Sequence, residues 1–156
     1  MIERVTMEDM RFIRELVEKE FPYVKKTGQK IESKIDNPHF FLFKISEQGR
    51  FAGFVEIEVL EEHTEVRLNG LAIIPEYREK GLGKKLLHET IEFLRGEDFE
   101  IVWLLVKRTN TVARTLYEKE GFNWVQTLPQ QIDNAVVEEY CLELKTEKDS
   151  QHLGVH

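Results

Sequence analysis

The sequence predicts an α/β (α+β) fold, with a central mixed, mostly antiparallel seven-stranded sheet flanked by about four helices. Three observations carry the prediction. Seven short apolar or alternating segments read as strands, and stretches of helical spacing fall between several of them. The run Leu71-Ala72-Ile73-Ile74 is short and branched, which suits a strand covered on both faces, and Pro75 ends it because it cannot donate to a ladder. A helical stripe of Leu82, Leu86, Leu87, Ile91 and Leu94 then leads to a second apolar run at residues 101–107. Strands joined through a helix are expected to pair in parallel.

Residues 2–5 read as the first strand. Thr6 with Asp9 three residues later is close to a capping box. Met10, Ile13, Leu16, Val17 and Phe21 give the next helix its apolar stripe, and Pro22 stops it. Residues 28–36 read as a second, weaker helix that ends at Asn37-Pro38. Residues 40–46 and 51–60 are strands joined by a turn at residues 47–50. In the second of these, Phe51, Val55, Ile57 and Val59 share one face, and Ala52, Phe54, Glu56 and Glu58 share the other. Residues 61–64 turn the chain into a strand over residues 65–74.

Asn69-Gly70, inside that strand, is a strong hairpin signal. A first arm of only Val66 to Leu68 makes a poor hairpin, so a bulge at Gly70 in one long strand is expected instead. The helix over residues 82–95 ends on Gly96. The strand at residues 101–107 is apolar throughout and is expected to be buried. Asn110 begins the next helix in a capping position. Residues 122–127 and 136–144 are the last strands, linked by a polar loop over residues 129–134. Residues 145–156 have no periodicity and are expected to form a disordered tail, which leaves residues 1–144 as a single domain.

Composition narrows the function. A chain of 156 residues holds one domain with a sizeable core. It contains no run of about eighteen apolar residues, and its N-terminus has no signal-peptide pattern. A net charge of −7 disfavours a nucleic-acid partner. The single cysteine, Cys141, excludes an intrachain disulfide and a cysteine zinc cluster, and it is expected to be a buried, inert thiol. These features together predict a cytoplasmic protein with no membrane contact and no metal.

The most informative stretch follows the strand ending at Ile74. Arg78, Lys80, Lys84 and Lys85 make it basic, and glycines at 81 and 83 allow close approach to the backbone where a helix begins. A helix N-terminus of this kind suits a phosphate or pyrophosphate. The P-loop pattern fails because Gly83-Lys84 is followed by Lys85 and position 78 is Arg. The dinucleotide pattern fails because position 86 is Leu.

What remains, Arg78-x-x-Gly81-x-Gly83, resembles the acyl-CoA pyrophosphate loop of the GNAT N-acyltransferase superfamily, [QR]-x-x-G-x-[GA]. The stretch from Asn110 through Ala113, Leu116 and Tyr117 to Gly121-Phe122 is similar to that family's second signature, N-x-x-A-x-x-L-Y-x-x-x-G-F. The resemblance covers residues 1–144, with its specific residues between 66 and 122.

The resemblance implies an acetyl-CoA-dependent N-acetyltransferase acting on a primary amine, with a bulged fourth strand splayed from the fifth. Arg78, Glu79, Lys80, Gly81, Leu82, Gly83 and Lys84 would hold the pyrophosphate. Backbone groups of Leu71, Ala72 and Ile73 would pair with the pantetheine arm, and one N–H would face the thioester carbonyl. Asn110 would contact the arm, Ala113 would give it room, and Tyr117 would protonate the departing thiolate. An unperturbed phenol, with a pKa of about 10, suits that role. Read as packing alone, Tyr117 is an inner-face aromatic and Asn110 a helix cap.

The base is not marked. N-terminal protein acetylases of the family carry a glutamate in a W-L-E-V context. Here the stretch is Trp103-Leu104-Leu105-Val106, so Leu105 stands in its place. Other relatives carry an acid in the fourth strand, where this chain has Arg67 and Asn69. Glu56, Glu58, Glu65 and His63 remain, beside a water chain, and no single carboxylate change is expected to abolish activity. Phe21, Tyr23, Lys25 and Lys26 either shape the acceptor site or form a plain connector. The acidic surface suits a cationic acceptor such as a polyamine or lysine amine, or serves only solubility. A non-catalytic acyl-CoA sensor and a nucleotide-binding module are the alternatives. The chain is expected to be a monomer, or a homodimer through an edge at strands six and seven.

Overall fold

The computed structural model describes residues 1–20 and 31–144. In chain order the elements are β1 (Glu3–Arg4), α1 (Met10–Glu20), β2 (Phe40–Glu47), β3 (Arg50–Val59), β4 (Glu65–Ile73), α2 (Leu82–Gly96), β5 (Ile101–Lys107), α3 (Thr111–Glu120), β6 (Asn123–Thr127) and β7 (Val137–Glu143). The strands form one seven-stranded sheet in the order β1-β2-β3-β4-β5-β7-β6. The sheet is mixed, with β4 parallel to β5. Three α-helices stand among the described residues where about four were expected. The described part of the weaker helix at 28–36 is a 3₁₀ turn, Ile31–Lys34. Phe21, Tyr23, Lys25, Lys26 and the tail at 145–156 lie outside the described residues.

The chain divides into two compact units. One is Met1–Glu58 with Leu68–Thr90, and the other is Val59–Arg67 with Ile91–His156. Both β4 and α2 contribute residues to each.

In the first unit, a 3₁₀ turn at Met7–Asp9 precedes α1. The Asp9 carboxylate accepts from the Thr6 backbone N–H at 2.8 Å and pairs with Lys44 Nζ at 2.9 Å. Met10, Ile13 and Leu16 of α1 pack on Leu42, Phe51, Phe54 and Ala72. The β2–β3 turn is tighter than expected. Gln48 and Gly49 lie at φ 50° and 77°, as a two-residue primed hairpin turn requires.

Ile45 pairs with Gly53 and Ser46 with Phe51, so Ala52 is an extra residue in β3. That bulge moves Phe51 off the Val55/Ile57 face expected for it. Phe51 instead joins Phe54 in the α1 cluster, stacked on Phe12 at 5.4 Å. Gly53 lets β3 lie close on β4: a Cβ there would fall 2.5 Å from the Ala72 carbonyl oxygen. The strand β4 is unbroken from Glu65 to Ile73, so Asn69-Gly70 is no hairpin turn.

In the second unit, β7 pairs antiparallel with β5 on one side and β6 on the other. The edge expected at strands six and seven therefore belongs to β6 alone. Nor is β5 covered throughout. Val102, Leu104 and Val106 are buried, while Leu105 is 41% exposed. An apolar run suggested a strand covered on both faces, but the antiparallel partner β7 is compatible with one open face.

Candidate functional site

The first group of expected site residues is consecutive in the first unit. The Ile74 N–H donates to the Ala52 carbonyl at 2.7 Å, and a 3₁₀ turn at Pro75–Tyr77 redirects the chain. Glu79 and Gly81 then take left-handed conformations, at φ 65° and 77°. Such a conformation costs a non-glycine residue about 1 kcal/mol. The Gly81 carbonyl accepts from the Lys85 N–H at 3.1 Å, so α2 starts at Leu82. The N–H groups of Leu82, Gly83 and Lys84 fall in the first turn, where no intrahelical acceptor exists and the macrodipole is positive. Leu82 is buried, so its share in any anion site is its backbone.

Arg78 makes two contacts within the protein. Its Nε donates to the Ile73 carbonyl at 3.0 Å, and its guanidinium pairs with Glu20. It ties the loop to the ends of β4 and α1, while Lys80, Lys84 and Lys85 supply exposed positive charge. Lys80 Nζ lies 5.6 Å from the centre of the Tyr77 ring. In β4, Leu71 is half-buried, and Ala72 and Ile73 are buried.

The second group, Asn110, Ala113 and Tyr117, belongs to the second unit. Asn110 caps α3 by accepting from the Ala113 N–H at 3.2 Å. Gly121 ends the helix at φ 108°. The Phe122 N–H bonds the Tyr117 carbonyl at 3.0 Å, and the Gly121 N–H bonds that of Glu118 at 3.1 Å. This is a Schellman closure, and its usual apolar contact is the Tyr117–Phe122 ring pair at 5.7 Å. The Gly-Phe of the signature therefore terminates the helix and seats the buried Tyr117.

The candidate bases have different surroundings. In the first unit, both Glu56 oxygens lie 3.1 Å from Lys34 Nζ. Asn69 Nδ2 donates to Glu56 at 2.7 Å and to Glu58 at 2.9 Å. In the second unit, Glu65 accepts from Trp103 Nε1 at 2.6 Å. His63 occupies an exposed turn at φ 61°.

One polar network had no motif to announce it. Buried Glu138 accepts from Thr127 Oγ1 at 2.8 Å, from Arg108 Nε at 3.0 Å and from Trp124 Nε1. Burial pushes its carboxyl upward, but the bonds from Thr127, Trp124 and Arg108 outweigh this and hold it below the ordinary range. Arg114 Nε donates to the Tyr140 hydroxyl at 3.2 Å, a bond that raises the guanidinium above its ordinary value. The Tyr140 hydroxyl in turn donates to Glu118 at 2.9 Å. The alternation Glu138, Tyr140, Leu142 on one strand face was the available signal. Cys141 is half-buried. Burial first, and then the charges of Glu143, Glu139 and Glu65, raise its thiol, which supports an unreactive cysteine.

Among the described residues, no cluster of three or more His, Cys, Asp or Glu could hold a metal ion, and no helix is long and apolar enough to cross a membrane.

A mixed sheet of this order, a strand–loop–helix presenting backbone N–H groups, and a capped tyrosine-bearing helix after the next strand define an acyl-CoA acyltransferase fold. The chain belongs to the acetyltransferase (GNAT) family, which its residues 10–122 match. It is 31% identical over 103 residues to the ribosomal protein bS18-alanine N-acetyltransferase of Escherichia coli, a match covering 66% of each chain. It thus spans just under two thirds of that relative. The crystal structure of the ribosomal-protein-S18-alanine N-acetyltransferase from Escherichia coli superposes with a TM-score of 0.78 at 24% identity, covering 94% of both chains. A spermidine N-acetyltransferase from Vibrio cholerae, solved in complex with CoA and spermine, gives a TM-score of 0.78 at 19% identity over 92% of this chain and 95% of that one. These two likenesses establish the fold.

Proposed function

We propose that this protein moves the acetyl group of acetyl-CoA to a primary amine by direct attack of the nitrogen on the thioester. The observation that carries the reading is the loop geometry: left-handed Glu79 and Gly81 turn the chain so that α2 opens with the N–H groups of Leu82, Gly83 and Lys84. A pyrophosphate accepts hydrogen bonds from such a turn. Lys80 and Lys84 add charge, and Arg78 acts by bracing the loop. The backbone at Leu71, Ala72 and Ile73 would pair with the pantetheine arm, and a bulge at Gly70 would turn one N–H toward the developing oxyanion. Asn110 and Ala113 would border the arm, and Tyr117 would protonate the leaving thiolate.

The acceptor is a small-molecule or protein amine. A net charge of −7 favours a cationic one. Leu105, 41% exposed, stands where the resemblance places the glutamate of the alanine-acetylating type. The protein acts in the cytoplasm, as a monomer or homodimer, without a metal.

A thermal-shift measurement with acetyl-CoA, CoA and ATP, on the wild type and on Gly83→Glu, tests the donor site. Acetyl-CoA at a hundred times its Kd should add about 2.7 kcal/mol to the wild type. It should add nothing to the variant, whose carboxylate would occupy the anion site. No shift at saturating acetyl-CoA overturns the reading. Because Leu105 replaces an acid, a non-catalytic acyl-CoA sensor is the rival, and thiol release with any amine excludes it. ATP competing at comparable affinity would favour a nucleotide-binding module.

A further inference from the structure

We propose that a cleft between α3 and the β6–β7 pair binds a free α-amino acid with an apolar side chain. The proposal concerns the second unit alone and does not rest on the donor reading above.

The cleft is open and has a volume of about 630 Å³, within the range of small-molecule sites. Arg108, Arg114, Glu118, Phe122, Trp124 and Tyr140 line it, together with the Glu138 network. All of these residues belong to the second unit.

Arg114 and Glu118 stand four apart on α3 and so share a helix face. The Tyr140 hydroxyl stands between their charges. It accepts from Arg114 Nε at 3.2 Å and donates to Glu118 Oε1 at 2.9 Å. Arg114 Nη1 donates to the Arg108 carbonyl at 3.0 Å. Arg108 commits its Nε to Glu138 at 3.0 Å and its Nη2 to Thr127 at 3.2 Å and to Glu138 at 2.8 Å. Each guanidinium is therefore held along one edge, with a terminal amino group left over. Among the described residues, no bond uses Arg108 Nη1, Arg114 Nη2 or Glu118 Oε2. The Trp124 indole is pinned through Nε1 to Glu138, yet Trp124 stays 56% exposed.

The charges select the ligand. Two guanidiniums stand beside the carboxylates of Glu118 and Glu138, so the cleft is balanced. Glu138 is buried and saturated by its donors, which leaves Glu118 as the carboxylate open to a ligand. A simple anion would meet Glu118, and a simple cation would meet the guanidiniums. A zwitterion satisfies both, with its carboxylate on the arginine amino groups and its ammonium on Glu118. A positive and a negative group bonded to one hydroxyl oxygen suit ligand charges separated by a single carbon. The exposed Trp124 ring then receives an apolar side chain.

Isothermal titration of the full chain tests this, with L-phenylalanine and L-leucine as ligands beside L-phenylalaninamide and N-acetyl-L-phenylalanine. Phenylalanine should bind one-to-one with a Kd of about 1 mM or below. The amide lacks the carboxylate and the acetyl compound lacks the ammonium, so each should bind on the order of 10-fold more weakly. Glu118→Gln and Arg114→Lys should each weaken phenylalanine on the order of 10-fold. Glu118→Gln should leave N-acetyl-L-phenylalanine unaffected, which general damage to the fold would not. Trp124→Ala should weaken both amino acids, and Glu92→Gln, on α2, should change nothing. Where Arg114→Lys lowers Tm, Glu118→Gln decides, because Glu118 is exposed. No saturation at about 10 mM of either amino acid overturns the proposal. Equal affinity for phenylalanine and its two blocked forms overturns it, as does phenylalanine binding unchanged in Glu118→Gln. Inorganic phosphate that binds more tightly than phenylalanine and displaces it would make the cleft an anion site, which overturns it too.

Discussion

Glu138 shows how a single residue couples acidity to stability. Its carboxyl is depressed in the folded state, because bonds from Thr127, Trp124 and Arg108 favour the charged form more than burial opposes it. A depressed folded pKa stabilises the protein above the unfolded carboxylate value, about 4.3. That contribution is lost as pH falls through the folded value. Thermal melts of Glu138→Gln should therefore show a flatter fall in Tm between about pH 5 and pH 3 than wild type. Parallel curves would show that the network does not favour the charged form. The same scale gives the candidate bases different surroundings. Lys34 pairs with Glu56, Asn69 bonds both Glu56 and Glu58, and Trp103 bonds Glu65.

At the scale of elements, the contact of β3 with β4 is what Gly53 permits. A methyl there would meet the Ala72 carbonyl oxygen and Ile73 Cδ1, both at 2.5 Å. Backbone cannot move aside as a side-chain tip can. Gly53→Ala should cost roughly 1–3 kcal/mol and lower Tm by roughly 5 °C. It should also weaken acetyl-CoA binding, because the displaced residues are those assigned to the pantetheine arm. An unchanged Tm and affinity would mean that the strands tolerate separation. The start of helix α3 was legible in the sequence at Asn110. Asn110 accepts from Ala113 as a cap, and Gly121 closes the helix so that Phe122 meets Tyr117. These are local interactions, so a linear motif can encode them.

For the whole molecule, two elements run through both compact units: β4 crosses at Arg67–Leu68 and α2 at Thr90–Ile91. A helix or strand that melts in one unit loses its continuation in the other. Residues 1–144 should therefore unfold as one domain. Scanning calorimetry should show a single transition with equal calorimetric and van't Hoff enthalpies, moved upward by acetyl-CoA. Two separable transitions would make the units independent domains.

The sequence by itself determined the strand and helix order, the Pro75 stop, the Gly81–Gly83 loop and the α3 signature. Each rests on periodicity or on interactions within a few residues along the chain. Tertiary structure decided the rest. The bulge at Ala52 put Phe51 on the α1 face, and insertion of β7 beside β5 left Leu105 open. Lys34, Glu56, Glu58 and Asn69 came together from three separate segments. Strand register and side-chain partners distant in sequence leave no local periodicity to read. A one-residue shift reverses which face a side chain occupies, so only the assembled sheet determines which side chains meet.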